Sequence, residues 1–311
     1  MFDRQPFAQF ENVVVPPQFC QYAGGPCDQD FSTAAHSDGL FLYPSRPEPV
    51  SVTIEDAVAQ LSKVAGDGRW ITWKNLDVPV QIIFCEICKA LRFTKLAVAD
   101  VTTLNFSLLF EVGFALGLGV PVLPIRDTSN IRDARDFEEL GILDTFGYFD
   151  YRNSTELCEG VLSRQVAAPL ALQAPPLNLE QPIYVVKSPV ENDGMIKLMS
   201  IVKKSRLRFR TFDSRETARI SLHEAYKQAV SSRAVIVHLL STDTRGAEVH
   251  NARCAFIAGV SMATQKRVLM IQQAAAAVAQ PIDYRDVILG YSRPSDLPDL
   301  LIPLLVLLCY K

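Results

Sequence analysis

One carboxylate, that of Glu111, is the group in this sequence whose type and surroundings most suggest chemistry. It is the only charged residue in the apolar run from Leu104 to Gly119. An unpaired charge in such surroundings carries a large desolvation cost, so we expect the carboxylate to be paired or used. It could pair with Arg46 or Arg126, or it could act as a nucleophile or a charge-stabilising group.

Two further polar residues precede Glu111 where a strand ends and a helix begins. Asp100 ends an apolar, strand-like stretch, and Asn105 opens the helix that carries Glu111. Ligands of parallel α/β sheets bind at the carboxyl ends of the strands. The loop between Asp100 and Asn105 should therefore line one cleft, at the carboxyl edge of the sheet, together with two other loops, residues 44–47 and 74–75. A rise of about 1.5 Å per residue puts Glu111 roughly 9 Å along the helix from Asn105.

This pattern resembles the signature of the nucleoside 2-deoxyribosyltransferase-like superfamily, in which a Glu-x-Gly-x-Ala helix follows an Asp-ending strand. The resemblance extends over roughly residues 40–160. It is carried by Ala99-Asp100-Val101-Thr102, by Asn105, and by the run from Phe110 to Gly119. Related TIR-type domains, which cleave NAD, carry a catalytic Glu on the equivalent helix. The resemblance implies that Glu111 is the catalytic carboxylate and that Asp100 and Asn105 hold or polarise the ribose and the base.

The implied reaction is cleavage of an N-glycosidic bond in NAD, a nucleotide or a nucleoside. It passes through an oxocarbenium-like state, which a carboxylate below the anomeric carbon traps or stabilises. Asp100 is the candidate acid for the leaving base, although nicotinamide leaves NAD without needing a proton. The expected site comprises catalytic Glu111 and Asp100, with Tyr43, Ser45, Arg46, Trp73, Thr102 and Asn105 binding the substrate. We expect no cofactor and no metal, since the nucleotide is the substrate.

The composition indicates a globular protein. The chain has 311 residues, of which 49% are hydrophobic and 21% charged, and this size suggests two domains. A net charge of −3 gives no electrostatic reason to expect a nucleic acid partner. The first ten residues lack a secretory h-region, and the late apolar stretch from Leu300 to Leu308 is too short to span a bilayer. Seven scattered cysteines fit reduced thiols, so we expect a cytoplasmic protein that does not enter a membrane.

Strand and helix patterns alternate through both halves of the chain. We predict an irregular N-terminal arm over residues 1–38, a catalytic domain over 39–165, a Pro-rich linker over 166–181 and a second α/β domain over 182–311. The predicted fold is two tandem doubly wound domains, flavodoxin- or Rossmann-like, with parallel sheets. The predicted strands are 40–43, 70–73, 96–101, 121–125, 148–151, 183–187, 207–212, 234–240, 267–272 and 287–291. The predicted helices are 53–64, 80–92, 105–118, 134–140, 154–164, 194–204, 215–231, 247–263 and 296–309.

The second half is interpreted as a degenerate copy of the first. When Val122 is laid on Val268, the position of Glu111 falls on Ile257. The second copy would then lack the catalytic carboxylate and would serve packing, oligomerisation or the sensing of a ligand. His238, inside an apolar strand, is expected to be structural.

Two small-residue features are also expected to be structural. Gly113 and Gly117 stand one helical turn apart and should let the helix pack closely on its sheet; they do not form a phosphate-binding loop. Cys85 and Cys88 would need a second pair of ligands to hold zinc, and the sequence does not reveal one. We therefore expect core thiols.

The leading hypothesis is an N-glycosidase that acts as a defence-type effector, as TIR-type relatives do against phage after assembly. A homo-oligomer is expected on the same ground. One alternative is a non-enzymatic module that binds a nucleotide signal and passes its state to a partner protein or a C-terminal extension. The other alternative is an oligomerisation scaffold.

Overall fold

The computed structural model describes residues 17–32, 34–64, 69–76, 83–130, 138–164, 172, 174–274 and 284–309. Parts of several predictions lie outside these residues, among them the start of the N-terminal arm, residues 80–82 and 134–137 of two predicted helices, and most of residues 166–173 of the linker.

The first sheet has five parallel strands in the order β2-β1-β3-β4-β5. The strands are β1 (Gly39–Leu42), β2 (Trp70–Thr72), β3 (Ala97–Asp100), β4 (Val122–Asp127) and β5 (Phe149–Tyr151). The described helices of this half are α1 (Glu48–Val64), α2 (Ile83–Arg92), α3 (Phe106–Leu118) and α4 (Ser154–Ser163).

The second sheet is also five-stranded and parallel, in the order β7-β6-β8-β9-β10. Its strands are β6 (Ile183–Lys187), β7 (Phe209–Asp213), β8 (Ala234–Leu239), β9 (Arg267–Gln273) and β10 (Ile288–Tyr291). Its described helices are α5 (Asp193–Lys204), α6 (Leu222–Val230), α7 (Ala247–Ala263) and α8 (Leu297–Cys309). Both sheets have the flavodoxin-like strand order 2-1-3-4-5, so the predicted fold class is confirmed.

The two halves share their largest hydrophobic core. Apolar residues of α2 and α3 and of the first sheet form one cluster with residues of α6, α7 and the second sheet. The outer face of the first sheet packs against α1 and α4, and that of the second sheet against α5 and α8. The centre of the molecule is therefore the contact between α3 and α7.

Glycines let α3 and α7 approach backbone to backbone. A Cβ atom on Gly113 would lie 2.2 Å from the carbonyl oxygen of Phe256, and one on Gly259 would lie 2.1 Å from that of Phe110. This reciprocity is that of a two-fold contact between equivalent surfaces. The close packing that we expected of Gly113 and Gly117 is present, but the expected partner was wrong: both glycines meet α7 of the other domain.

A buried cation reinforces the same interface. The guanidinium of Arg253 on α7 is almost fully buried and donates hydrogen bonds to the carbonyl oxygens of Glu139 (3.0 Å) and Leu140 (3.5 Å) in the first half. The amide of Leu222, in turn, donates to the hydroxyl of Thr145 at 3.0 Å. Polar contacts therefore fix the orientation of the two apolar faces.

Two helix starts differ from the predictions by five residues or more. α1 begins at Glu48, five residues before Thr53, because Pro49 is compatible with the first turn of a helix. α6 begins only after its N-cap Ser221, since Asp213 binds the amide and side chain of Arg215 and forms a turn there. α4 begins at Ser154, as predicted, and Asn153 is its N-cap.

The described part of the N-terminal arm lies against both halves. The side chain of Gln21 accepts a hydrogen bond from the amide of Val268, and the guanidinium of Arg267 stacks 4.6 Å from the ring of Phe19. Phe31 packs on Phe93 next to the first sheet. Among the helices described, none combines the length and the apolar character that crossing a bilayer requires.

Candidate functional site

Helix α3 is fixed at both ends by the residues that the sequence suggested. The side chain of Asn105 accepts a hydrogen bond from the amide of Leu108 at 3.0 Å, which makes it the N-cap. Gly119 ends the helix with a φ of 76°, a left-handed conformation that glycine adopts without strain. Glu111 lies in the second turn of this helix.

The carboxylate of Glu111 is partly exposed and bound by a residue of the second domain. The hydroxyl of Tyr284 donates a short hydrogen bond to Oε1 of Glu111. The ring of Tyr284 is buried, with its centroid 4.9 Å from that of Phe110 and 5.9 Å from that of Phe84. The second domain therefore helps to hold the candidate catalytic group. Nothing in the sequence around Tyr284 signalled this contact.

Asp100 has no exposed surface and accepts three hydrogen bonds. The amide and the hydroxyl of Thr102 donate to it at 3.1 and 3.0 Å, and the hydroxyl of Tyr151 donates at 2.8 Å. Burial raises the pKa of Asp100 to about 6, outweighing the hydrogen bonds, which act to lower the pKa. Thr102 in turn accepts a hydrogen bond from the amide of Asp127. Asp100 and Thr102 thus tie the ends of β3, β4 and β5 together.

Asp100 and Glu111 lie on opposite sides of the first sheet. Side chains alternate along a strand: Ala97 and Ala99 pack in the shared core with α3, whereas Val98 packs in the outer cluster with α1 and α4. Asp100 therefore belongs to the α1 and α4 side. The structure brings Asp100 and Thr102 together at the carboxyl edge but places Glu111 on the side of the second domain.

The remaining expected site residues surround the end of β1. The hydroxyl of Tyr43 donates to Glu55 at 3.1 Å, and its ring lies 6.0 Å from that of Trp73. Burial raises the pKa of Tyr43 well above its ordinary value. Ser45 and Arg46 are exposed in the loop that follows β1.

No protein-family model matches this sequence, and no curated protein matches it.

The second domain repeats the buried pair of Asp100 and Tyr151, with a histidine in place of the aspartate. Asp100 lies beside Ile125 of the neighbouring strand β4, and His238 lies beside Ile271 of the neighbouring strand β9. Asp100 and His238 therefore occupy equivalent positions in the two sheets. Nε2 of His238 lies 2.7 Å from the hydroxyl of Tyr291, the counterpart of Tyr151. Burial lowers the pKa of His238 to about 4. A tyrosine closing the last strand of each half was the sequence signal for this pair.

Four cysteines gather where the arm meets α2. Cys20 and Cys27 are close enough to Cys85 to interact electrostatically with it, and burial raises the pKa of Cys85 to about 12. The arm thus brings the Cys20 and Cys27 thiols near those of Cys85 and Cys88. Within the part of the chain described, no group of three or more His, Cys, Asp or Glu residues has a geometry that could hold a metal ion.

Proposed function

We propose that this protein cleaves the N-glycosidic bond of NAD or of a related nucleotide or nucleoside, with Glu111 as the catalytic carboxylate. The observation that supports this most is an asymmetry between equivalent helices. α3 carries the partly exposed Glu111, whereas α7 has the fully buried Ile257 at the matching position. An apolar residue satisfies packing in α7, so packing does not explain a carboxylate in α3.

The chemistry needs one carboxylate facing C1′ of the ribose. The bond from C1′ to nitrogen breaks, and its electron pair leaves with the base, which is neutral nicotinamide when NAD is the substrate. Glu111 traps or stabilises the positive charge on the sugar. Water then adds to C1′, and its proton is released to solvent when NAD is the substrate or is taken up by the leaving base when a neutral nucleoside is the substrate. A second base in place of water gives transfer instead of hydrolysis.

Neighbouring residues have supporting roles in this proposal. The hydroxyl of Tyr284 orients Glu111 through its hydrogen bond. Asp100, which has no exposed surface, holds the loop before α3 and does not touch the sugar. In this proposal the exposed Ser45 and Arg46 bind the phosphates.

The biological setting is a proposal that rests on the family resemblance. An enzyme of this kind acts as a defence-type effector in the cytoplasm, active in a homo-oligomer and triggered by a partner protein or a C-terminal extension.

An assay of base release tests the proposal. Purified protein is incubated with NAD and with a panel of deoxynucleosides, and the released base is quantified by chromatography. Glu111→Gln removes the charge with little change in shape and should lower the rate about 100-fold or more. Glu248→Gln is the matched control, because Glu248 is an exposed carboxylate on the equivalent helix α7. It should leave the rate unchanged.

Two results would count against the enzyme. Release that is equal in wild type and Glu111→Gln would place the chemistry elsewhere. No release by the wild type at high protein concentration, with its oligomeric state checked, would reject cleavage. Tight nucleotide binding without release would favour the sensor module, and assembly without binding would favour the scaffold.

A further inference from the structure

The second domain contains a cleft of about 600 Å³ between α5 and the edge strand β7. We call it the α5–β7 cleft; the residues that define it are Lys187, Met195, Met199, Lys203, Phe209 and Arg215. Its inner end lies at the carboxyl ends of β6 and β7, the edge at which doubly wound sheets bind ligands. Its volume falls in the range of about 300–1,000 Å³ that is typical of small-molecule sites.

The middle of the cleft is apolar and polarisable. Met195 and Met199 stand one turn apart on the same face of α5, and Phe209 faces them from β7. Met195 is buried, whereas Met199 and Phe209 are partly exposed to the cleft. Thioether groups make favourable contacts with aromatic rings. Met195, Met199 and Phe209 thus form an apolar floor of the cleft that suits a flat ring such as a nucleobase.

Both ends of the cleft carry cationic side chains, which outnumber the carboxylates around it by four to two once the buried Asp213 is counted with Glu191, although the whole chain carries a net charge of −3. Lys187 and Arg215 stand at the inner end, and Lys203 and Lys204 at the outer end. Among the described lining residues, these four cations face one carboxylate, that of Glu191. The local charge therefore favours an anionic ligand.

The inner cations are held in place from behind. The buried carboxylate of Asp213 accepts hydrogen bonds from Lys187 at 3.1 Å and from Arg215 at 2.9 Å. Arg215 also binds Glu191 at 2.7 Å. Groups whose orientation is fixed beforehand lose less entropy on binding. Arg215 remains half exposed and available to a phosphate.

The corresponding corner of the first domain has different side chains. There the ends of β1 and β2 are covered by Tyr43, which is buried, and by Trp73, with Lys74 paired to Glu55.

We propose that the second domain binds a nucleoside diphosphate in the α5–β7 cleft, with its phosphates on Lys187 and Arg215 and its base on the Met195–Met199–Phe209 floor. This site is separate from Glu111 and does not depend on the proposed cleavage reaction.

Calorimetry on the full chain, with ADP, pyrophosphate and adenosine as probes, tests the proposal. ADP should bind more tightly than either fragment, because only ADP meets both the cations and the floor. Arg215→Gln should weaken ADP binding at least about 10-fold, since a hydrogen bond to a charged group is lost. Thr211→Trp, at an exposed strand position lining the cleft, should abolish binding by filling the space. Arg245→Gln, an exposed cation outside the cleft, is the control and should bind as the wild type does. Glu111→Gln should also retain ADP binding.

Several outcomes would overturn this assignment. ADP that fails to bind at about 1 mM, or whose affinity is the same in Arg215→Gln and Thr211→Trp as in wild type, removes the site from the cleft. Pyrophosphate binding as tightly as ADP reduces the cleft to an anion site. A poly-glutamate peptide that binds more tightly than ADP, and is blocked by Thr211→Trp, identifies an acidic polypeptide as the ligand instead.

Discussion

The crossing of α3 and α7 offers a sharp test, because adding one methyl group to Gly113 should force two domains apart. The new Cβ would lie 2.2 Å from the carbonyl oxygen of Phe256. Carbon contacts are optimal near 3.5–4.0 Å, so the backbones must separate by about 1 Å or more. The obstacle is main chain and not a flexible side chain, so the strain has no cheap local relief.

The magnitude follows from opposing terms. Overpacking a well-packed interface costs about 1–3 kcal/mol, and the rigid obstacle argues for the upper end. Alanine has a higher helix propensity than glycine, which stabilises α3 by about 1 kcal/mol and offsets part of this cost. The net loss for Gly113→Ala should be about 2 kcal/mol, which corresponds to a decrease in Tm of about 3 °C for 311 residues that unfold together.

Thermal unfolding followed by calorimetry measures this loss. Gly290→Ala is the control, because a methyl group there meets nothing within 4 Å; its Tm should stay within about 1 °C of wild type. Gly259→Ala should behave as Gly113→Ala does, since its Cβ would lie 2.1 Å from the carbonyl oxygen of Phe110. If Gly113→Ala unfolds at the wild-type temperature, the reciprocal glycine contact is not what sets the spacing of the domains.

Two further predictions concern the hydrogen bond from Tyr284 to Glu111 and the buried carboxyl group of Asp100. Tyr284→Phe keeps the buried ring but removes the donor to Glu111; kcat for base release should fall about 10-fold or more with KM little changed, and an increase in KM alone would show that Tyr284 contacts substrate. For Asp100, burial raises the pKa from 3.8 to about 6, so the folded protein keeps a proton that the unfolded chain releases, and this group's contribution to stability falls as pH rises from about 4 to 6. Two pKa units correspond to about 3 kcal/mol. In urea unfolding, the stability of Asp100→Asn relative to wild type should therefore rise by up to that amount as pH increases across this window. A difference in stability that does not change with pH would contradict a buried carboxyl group that is uncharged at low pH.

The alternation of apolar strands and amphipathic helices was sufficient to predict the architecture. Buried parallel strands are short, nearly continuous apolar runs, and each of the ten described strands lies within two residues of its predicted limits. The limits of α3 were also legible, because Asn105 and Gly119 act through local backbone geometry. Helix starts were predicted less well at α1, where Pro49 fits the first turn and the helix begins earlier, and at α6, where an aspartate turn delays the helix.

The candidate site was predictable only in part. The sequence identified Glu111 as exceptional, and the alignment of the two halves put Ile257 at the equivalent position. The reciprocal contacts of Gly113 with Phe256 and of Gly259 with Phe110 support that alignment, because they carry the same offset as Val122 with Val268. The sequence did not indicate that Asp100 would be buried on the other side of the sheet, since the local pattern does not specify which helices cover each face.

The sequence by itself determined the two sheets, the caps of α3 and the solitary carboxylate, because each depends on residues near one another in the chain. Only the tertiary structure decided that Gly113 meets α7, that Tyr284 binds Glu111, and that a cationic cleft opens beside β7. These contacts join residues far apart in the chain, and they arise from the burial of two apolar faces against each other, which no local pattern specifies.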